Sequence, residues 1–402
     1  MTNSPVRQSV RDLRGSLIRS FDADISGIEG IIKLTLGEPD FPTPQRIVDA
    51  GIASIQAGRT HYAPNAGTMG LREAAAGYLR RRRGLEYTAE NIVCTVGASE
   101  ALSAVFGSVL SDETVSIIPI PAFGAYKTQT LLAGGAVDLI DTTDTGFKLT
   151  PEQLEAALSR AKGAGKKPVL ILNYPNNPTG VALNSAEIQA LADVVLEHDV
   201  LVISDEVYAE ISYGTERVDS IARYAPENTV LIDSASKAFA MTGWRVGYIA
   251  APVELANEFV KVHQSNVATG ATFTMDAAQE GYEHGDADID AMVAEYSERR
   301  NYLYNQLTDM GLSVAYPDGA FYLFIQMPDW FEGSSLEFCT KLAYEAKVAL
   351  IPGAAFGDPA SRWVRASYAA SMENLRESAR RIRAWVGAQS ASAAQGAAQS
   401  AH

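Results

Sequence analysis

The sequence predicts an α/β protein: a central, largely parallel sheet flanked by helices, with a smaller α+β unit beside it. Three observations predict it. Between about residues 46 and 285, short apolar, β-branched runs alternate with helical segments, as βαβ units around a buried sheet require. After Gly285 the pattern changes to one long helix followed by short strands and more helix. The chain is also large and apolar enough to build two cores, with 402 residues, 47% of them hydrophobic and 20% charged.

In chain order, Ser16–Phe21 reads as a short helix. The segment Gly37-Glu38-Pro39-Asp40-Phe41-Pro42-Thr43-Pro44 cannot be helical, because its three prolines fix φ and remove backbone donors; it suits a rigid, extended binding loop. Helical segments follow at Gln45–Ala57, Leu71–Arg83, Pro151–Ala161 and Ser185–Glu197. The strands are expected at Ile92–Val96, Val115–Ile120, Val137–Ile140, Val169–Leu172, Val200–Ser204 and Thr229–Ile232. A long helix at about Asp288–Met310 opens the second unit, and Val314–Tyr316 and Phe321–Gln326 are its first strands. The expected organisation is an N-terminal segment 1–45 packing with the smaller unit, a large domain 46–285, a small C-terminal domain 286–386 and a disordered Ala/Ser/Gln-rich tail 387–402, which lacks large apolar residues to offset ordering entropy.

With 33 Lys and Arg against 48 Asp and Glu, the net charge is −15. Such a surface repels phosphate backbones and anionic lipid, which argues against nucleic-acid or membrane partners. Two cysteines are too few for a disulfide framework, and no run approaches the roughly 18 apolar residues of a membrane span, so a cytoplasmic location is expected. Five histidines show no metal-ligand spacing, Cys94 sits in an apolar strand as a core residue, and no metal is expected. The run Arg80–Arg83 closes a helix before Gly84 and reads as a solvated, dipole-favoured helix end.

The chemistry concentrates in one string, Ser234-Ala235-Ser236-Lys237-Ala238-Phe239-Ala240-Met241-Thr242-Gly243-Trp244-Arg245-Val246-Gly247-Tyr248. It follows the strand Val230–Ile232 and therefore lies at a carboxyl end of the sheet, where open α/β folds bind ligands. Ser234, Ser236 and Arg245 can cradle a phosphate, and the Lys237 amine can form a Schiff base with an aldehyde. Gly97-Ala98-Ser99 opens an apolar helix after a strand, and its free N–H groups and positive dipole end also suit a phosphate.

This string resembles the pyridoxal-phosphate attachment motif of class I/II aminotransferases of fold type I. Further matches follow in the family's order: Gly37-Glu38-Pro39-Asp40-Phe41, Tyr62 with Gly67, Gly97-Ala98-Ser99-Glu100, Asn173-Tyr174-Pro175-Asn176-Asn177-Pro178-Thr179-Gly180, Ser204-Asp205-Glu206-Val207-Tyr208, Pro352-Gly353 with Phe356-Gly357, and Arg365. The resemblance spans roughly residues 15–385 and implies a mostly parallel seven-stranded sheet. It also implies pyridoxal 5′-phosphate as cofactor, bound by Lys237, Asp205, Tyr208, Asn177, Phe123, Ala98, Ser99, Ser234, Ser236, Arg245 and Tyr62. Lys237 and Asp205 are the implied catalytic pair. Asp205 would keep the cofactor's ring nitrogen protonated, Phe123 would stack on the ring, and Gly37, Asn177 and Arg365 would hold the substrate carboxylate. Tyr62 matches a tyrosine that reaches the neighbouring subunit's phosphate, which implies a homodimer with shared sites.

The expected reaction is transfer of an α-amino group between an L-amino acid and a 2-oxo acid by a ping-pong route. The stretches His61–Gly67, Asp141–Thr143 with Gly146–Thr150, and Lys261–Asn266 look similar to a bacterial subgroup of aromatic and N-acetyl-diaminopimelate aminotransferases, with aspartate aminotransferases as near relatives. Two alternatives stand beside it: a carbon–sulfur β-lyase on the same fold, and an aminotransferase-like sensor domain of a regulator. The sensor is disfavoured because the match begins too early to leave room for a preceding basic DNA-binding domain.

Overall fold

The computed structural model describes residues 5–13, 15–214 and 218–400; expectations for the first four and last two residues fall outside it. Seven strands form the central sheet: β1 (Ile92–Thr95), β2 (Thr114–Ile120), β3 (Ala136–Asp141), β4 (Lys167–Leu172), β5 (Leu201–Asp205), β6 (Thr229–Ser234) and β7 (Gly247–Ala250). Their order is β1-β7-β6-β5-β4-β2-β3. All neighbours are parallel except β7, which runs antiparallel to both β1 and β6. The fold class matches the expectation. β7 is the strand that the run-by-run reading did not separate, because its four residues end the lysine motif itself.

The strands read as continuous apolar runs because both faces are covered, yet their side chains still alternate. Val93, Val169, Ile171, Val230 and Ile232 pack with Phe106 and Phe259 of helices Ala98–Val109 and Val253–Val267. Their neighbours Ile92, Cys94 and Leu231 join Tyr78 and Tyr282 of helices Met69–Tyr78 and Thr272–His284, while Leu170, Leu172 and Val202 join helices Pro151–Gly163 and Ser185–His198. Those last two helices begin with reciprocal caps, Thr150 with Gln153 and Asn184 with Glu187, which satisfy the first free N–H groups.

A second, antiparallel sheet comprises β8 (Val314–Ala315), β9 (Tyr322–Gln326), β10 (Ile351–Pro352) and β11 (Trp363–Ser367), in the order β10-β11-β9-β8. It packs with helices Asp286–Thr308 and Met372–Ser400 around Leu303, Leu307, Phe324, Val364 and Trp385. Phe21, Ile25 and Leu34 lie in the same cluster, and Ile32–Lys33 pairs in parallel with Val348–Ala349.

Two expectations are corrected. The stretch expected to be disordered from residue 387 continues the last helix to Ser400; alanine is the strongest helix former, and a polar Ala-rich run can extend a helix already anchored by Leu375, Ile382 and Trp385. The arginine run is also not a solvated end. Arg80 and Arg81 are exposed, but the wider π-type turn at Leu79–Arg83 swings Arg82 and Arg83 inward, where both are buried. Arg82 pairs with Glu210 at 2.7 Å and Asp290 at 2.8 Å, and Arg83 pairs with Glu206. Glu206 in turn accepts hydrogen bonds from Ser204 and Ser220, each at 2.7 Å.

Removing one member of a buried ion pair strands the other charge. Arg83→Met is therefore expected to cost about 3–5 kcal/mol of stability, measured as a lower urea midpoint at unchanged slope. Surface Arg80→Met should change it by less than about 0.5 kcal/mol.

Candidate active site

The carboxyl ends of β5 and β6 and the N-terminus of helix Ala98–Val109 meet the proline-rich segment 35–43 and β11, and nearly all the motif residues gather there. Lys237 lies on the single helical turn Ala235–Ala238 that leaves β6. Its Nζ donates to the Gly37 carbonyl at 2.5 Å and lies 5.8 Å from the ring centres of both Tyr208 and Phe321. Burial lowers its pKa to about 8; Arg365 and Arg245 push the same way, while Glu38 and Asp205 oppose them. The amine is still mostly protonated at neutral pH, but its uncharged, nucleophilic fraction is far larger than that of an ordinary lysine.

Asp205 ends β5 and is 4% exposed. Burial pushes its carboxyl up to about 6, against the Tyr126 hydroxyl, which donates to Oδ2 at 2.7 Å, and the Val207 N–H, 3.4 Å from Oδ1. The Asn173 amide donates to the Asp205 carbonyl and fixes the backbone. An ionised carboxylate has about four acceptor positions, and this one meets a single strong donor. A cationic N–H, such as the ring nitrogen of a pyridinium, fits that deficit.

The phosphate cradle is assembled from backbone and one guanidinium. Gly97 (φ +76°) precedes the helix whose first residues, Ala98 and Ser99, present free N–H groups. Arg245, itself at φ +57°, donates to the Thr242 carbonyl at 2.8 Å and lies so close to Gly97 that any Cβ there would collide with it. A Cβ at Gly247 would lie 2.8 Å from the Ala98 nitrogen. Ser234 and Ser236 are buried on the turn that leads to Lys237. Exposed cation, free N–H groups and side-chain-free approach together suit a phosphate.

Arg365 on β11 makes a second anion site. It is 2% exposed, donates to Asn177 Oδ1 and to the Thr35 carbonyl at 2.8 Å each, and lies 4.4 Å from the Tyr322 ring centre and 5.1 Å from that of Phe356. Its Nε has no partner, and no carboxylate pairs with it among the described residues. Burial lowers its pKa, as expected of a desolvated cation without a counter-ion. A substrate carboxylate would supply one. Gly37 belongs here too: a Cβ on it would lie 3.1 Å from the Tyr322 hydroxyl.

Tyr208, buried, shares a 2.7 Å hydrogen bond with Tyr322, and Phe123 touches the group through an edge contact with Tyr126 at 5.7 Å. Tyr62 is the one motif residue not brought in. It is 91% exposed and makes no described contact with the others. The sequence reading missed Tyr126, Phe321, Tyr322 and Glu38 as site residues. Tyr126 follows Phe123 by three residues on the turn that opens the next helix, a spacing that places both on one side; Phe321 and Tyr322 read as ordinary strand residues and carried no signal. Elsewhere, one ligand atom from each of Glu280, Glu283 and His284 falls within 4.8 Å of the others, a half-buried to exposed group at helical spacing that the histidine survey did not single out.

Residues 29–382 match the family model for aminotransferase class I and II. The chain is 38% identical over 377 residues to a probable N-acetyl-LL-diaminopimelate aminotransferase of Bacillus subtilis, covering 94% of each chain. It is 37% identical to aromatic-amino-acid aminotransferase 2 of Thermococcus litoralis, over 89% of this chain and 92% of that one. Among solved structures, the aspartate aminotransferase of Thermus thermophilus with maleate superposes with a TM-score of 0.88 at 34% identity, covering 95% of this chain and 99% of that one. The chain belongs to the class I/II aminotransferases. It is an enzyme of the transaminase type, and its family depends on pyridoxal phosphate.

The raised Asp205 pKa fixes a sign. Without cofactor, the folded protein favours protonated Asp205, so its contribution to stability is present below about pH 4 and is lost as pH rises through about 6. Asp205→Asn should therefore stabilise the cofactor-free protein against urea by up to roughly 3 kcal/mol at pH 8, with the gain vanishing near pH 4. The same substitution should suppress transamination.

Proposed function

We propose that this enzyme moves the α-amino group of an L-amino acid of aromatic, aspartate or N-acetyl-diaminopimelate type to a 2-oxo acid such as 2-oxoglutarate, in a ping-pong cycle. The observation that carries this is the buried, counter-ion-free Arg365 in the same pocket as a Lys237 whose pKa burial has lowered and a donor-poor Asp205. That is an arrangement for one carboxylate, one amine and one cationic ring.

Pyridoxal phosphate, when bound, supplies an aldehyde that condenses with amines and a ring that draws electrons from the substrate's α-carbon. In this reading Lys237 holds the aldehyde carbon, and Asp205 holds the proton on the ring nitrogen with Tyr126 orienting it. Arg245, Ser234, Ser236 and the N–H groups of Ala98 and Ser99 hold the phosphate. Tyr208 and Asn177 serve the phenolic oxygen, and Phe123 lies against the ring face. Arg365, with Asn177 and Gly37, grips the substrate carboxylate, so that the α-hydrogen is presented to Lys237 Nζ. Once displaced by substrate, that amine takes the α-proton as general base; its pKa of about 8 keeps enough of it unprotonated at neutral pH. Relatives named for N-acetyl-diaminopimelate, aromatic and aspartate substrates all align over most of the chain, which supports the subgroup.

We place the chain in a homodimer. Tyr62 is almost fully exposed, and Ile52, Ile55 and Met69 from the flanking helices are exposed as well, which supports a second copy covering this face and receiving the Tyr62 hydroxyl at its own phosphate. The core shared by residues 21–34 and the C-terminal unit supports a division at Gly285, with both chain ends contributing to the smaller domain. The two buried free thiols, Cys94 and Cys339, suit a reducing cytoplasm; no helix among the described residues is long and apolar enough to cross a membrane.

Lys237→Ala is expected to lower turnover by about 10²–10⁴-fold or more and to abolish the absorbance of the lysine-bound cofactor; retained activity would overturn the assignment. A panel of amino donors, scored by conversion of the cofactor to its amine form, should rank aromatic, aspartate and N-acetyl-diaminopimelate substrates, and conversion by none of them would reject the subgroup.

A further inference from the structure

The segment 35–43 is held alternately by the two units that it crosses. Arg365 takes the Thr35 carbonyl, Lys237 the Gly37 carbonyl, and Thr242 donates to Glu38 at 2.9 Å. Near its far end, Arg299 of helix Asp286–Thr308 places Nη1 2.7 Å and 2.9 Å from the two oxygens of Asp40. The Arg299 guanidinium also lies 4.8 Å from the Phe41 ring centre and 5.7 Å from that of Tyr296, and its Nε is held by Glu295 at 3.0 Å. Arg299 is 6% exposed as a residue, so its guanidinium is largely removed from water while the carboxylates of Asp40 and Glu295 stay partly exposed.

We propose that Arg299, through Asp40 and Phe41, is a positioning residue that sets the height of the Gly37 backbone over Lys237 and so completes the substrate-carboxylate site. The inference rests on the reading of Arg365 and Gly37 as that site. Its logic is geometric. Pro39 lies between Gly37 and Asp40 and fixes φ there, and Thr242 holds Glu38, so the position of Asp40 is passed to Gly37 through a short, restrained link. Gly37 is also approached from the other side by the Tyr322 hydroxyl, which would lie only 3.1 Å from a Cβ at this position. In the cofactor-loaded enzyme the Lys237 nitrogen would be held by the cofactor's aldehyde carbon and not by the Gly37 carbonyl, and its turn leaves β6, so a shift of Gly37 would act first on the substrate carboxylate. Arg299 touches neither the amine nor the guanidinium of Arg365.

The test uses the cofactor-loaded enzyme, with Arg299→Met, Arg299→Lys, Asp40→Asn and the double variant Arg299→Met/Asp40→Asn. With a donor that the wild type accepts, Arg299→Met and Asp40→Asn should each raise KM at least about tenfold while kcat falls less than about threefold. The double variant should be no worse than either single one, because the two groups act as a pair. Arg299→Lys, which keeps the charge but not the planar fork, should recover part of the loss. Calorimetry with 3-phenylpropionate, a carboxylate without an amino group, should show the same loss of affinity, and the absorbance of the lysine-bound cofactor and its pH dependence should match the wild type. The inference is overturned if KM is unchanged, if kcat falls as far as kcat/KM, or if Arg299→Lys rescues nothing. If the wild type accepts no amino donor at all, it is the functional reading that fails, which separates the two failures.

Discussion

Everything in the cleft depends on charges held out of water without their full complement of partners. Lys237, Asp205 and Arg365 are each buried or nearly so, and each is pushed by burial toward its neutral form. In an ordinary core this would be a fault, since a desolvated charge without a counter-ion costs several kcal/mol. Here the missing partners are complementary to one set of ligands: an aldehyde, a ring N–H and a carboxylate. The protein carries the desolvation cost in the fold, and the proposed ligands would relieve it on binding. On the proposed reading, a substrate without the carboxylate would leave Arg365 unrelieved, so discrimination would follow from the electrostatics of the pocket itself.

Such a pocket needs rigid walls, and these are supplied by buried ion pairs in which each charge meets an opposite one. Glu206 follows Asp205 directly and is held by Arg83, Ser204 and Ser220; Glu210, one turn further, is held by Arg82. The strand end that carries Asp205 and Tyr208 is thereby pinned to the turn at Leu79–Arg83, and Arg82 reaches on to Asp290 of the long helix. Two kinds of buried charge thus lie within a few residues of each other. One kind is paired and structural, the other unpaired and reserved for ligands.

The difference explains what could be read from the sequence. The parallel strands were legible because burial on both faces leaves near-continuous apolar runs, and their helices because of periodicity and caps such as Thr150 and Asn184. Lys237, Asp205, Asn177 and Arg365 were legible as members of motifs. Arg82 and Arg83 were misread, since a run of arginines before a glycine has the same composition whether it faces water or Glu206 and Glu210; the partners lie more than 120 residues away. Phe321 and Tyr322 were invisible for a related reason. Alternation shows which side chains leave a strand on one face, but not that this face closes a ligand pocket. The Ala-rich end failed differently, because the argument from missing apolar residues applies to a free segment and not to one grown from an anchored helix.

The cations also act on one another. Arg365 and Arg245 both depress the Lys237 amine, adding to the effect of burial. A phosphate at Arg245 and a carboxylate at Arg365 offset those two charges where they arise, leaving burial opposed by Glu38 and Asp205. On the proposed reading, each anion bound at these two arginines would make Lys237 a stronger base. In that reading, a substrate carboxylate seated at Arg365 would raise the basicity of Lys237 at the stage when a proton is to be taken. A net charge of −15 gives no hint of this, because the coupling depends on three cations in one low-dielectric cleft and not on the total.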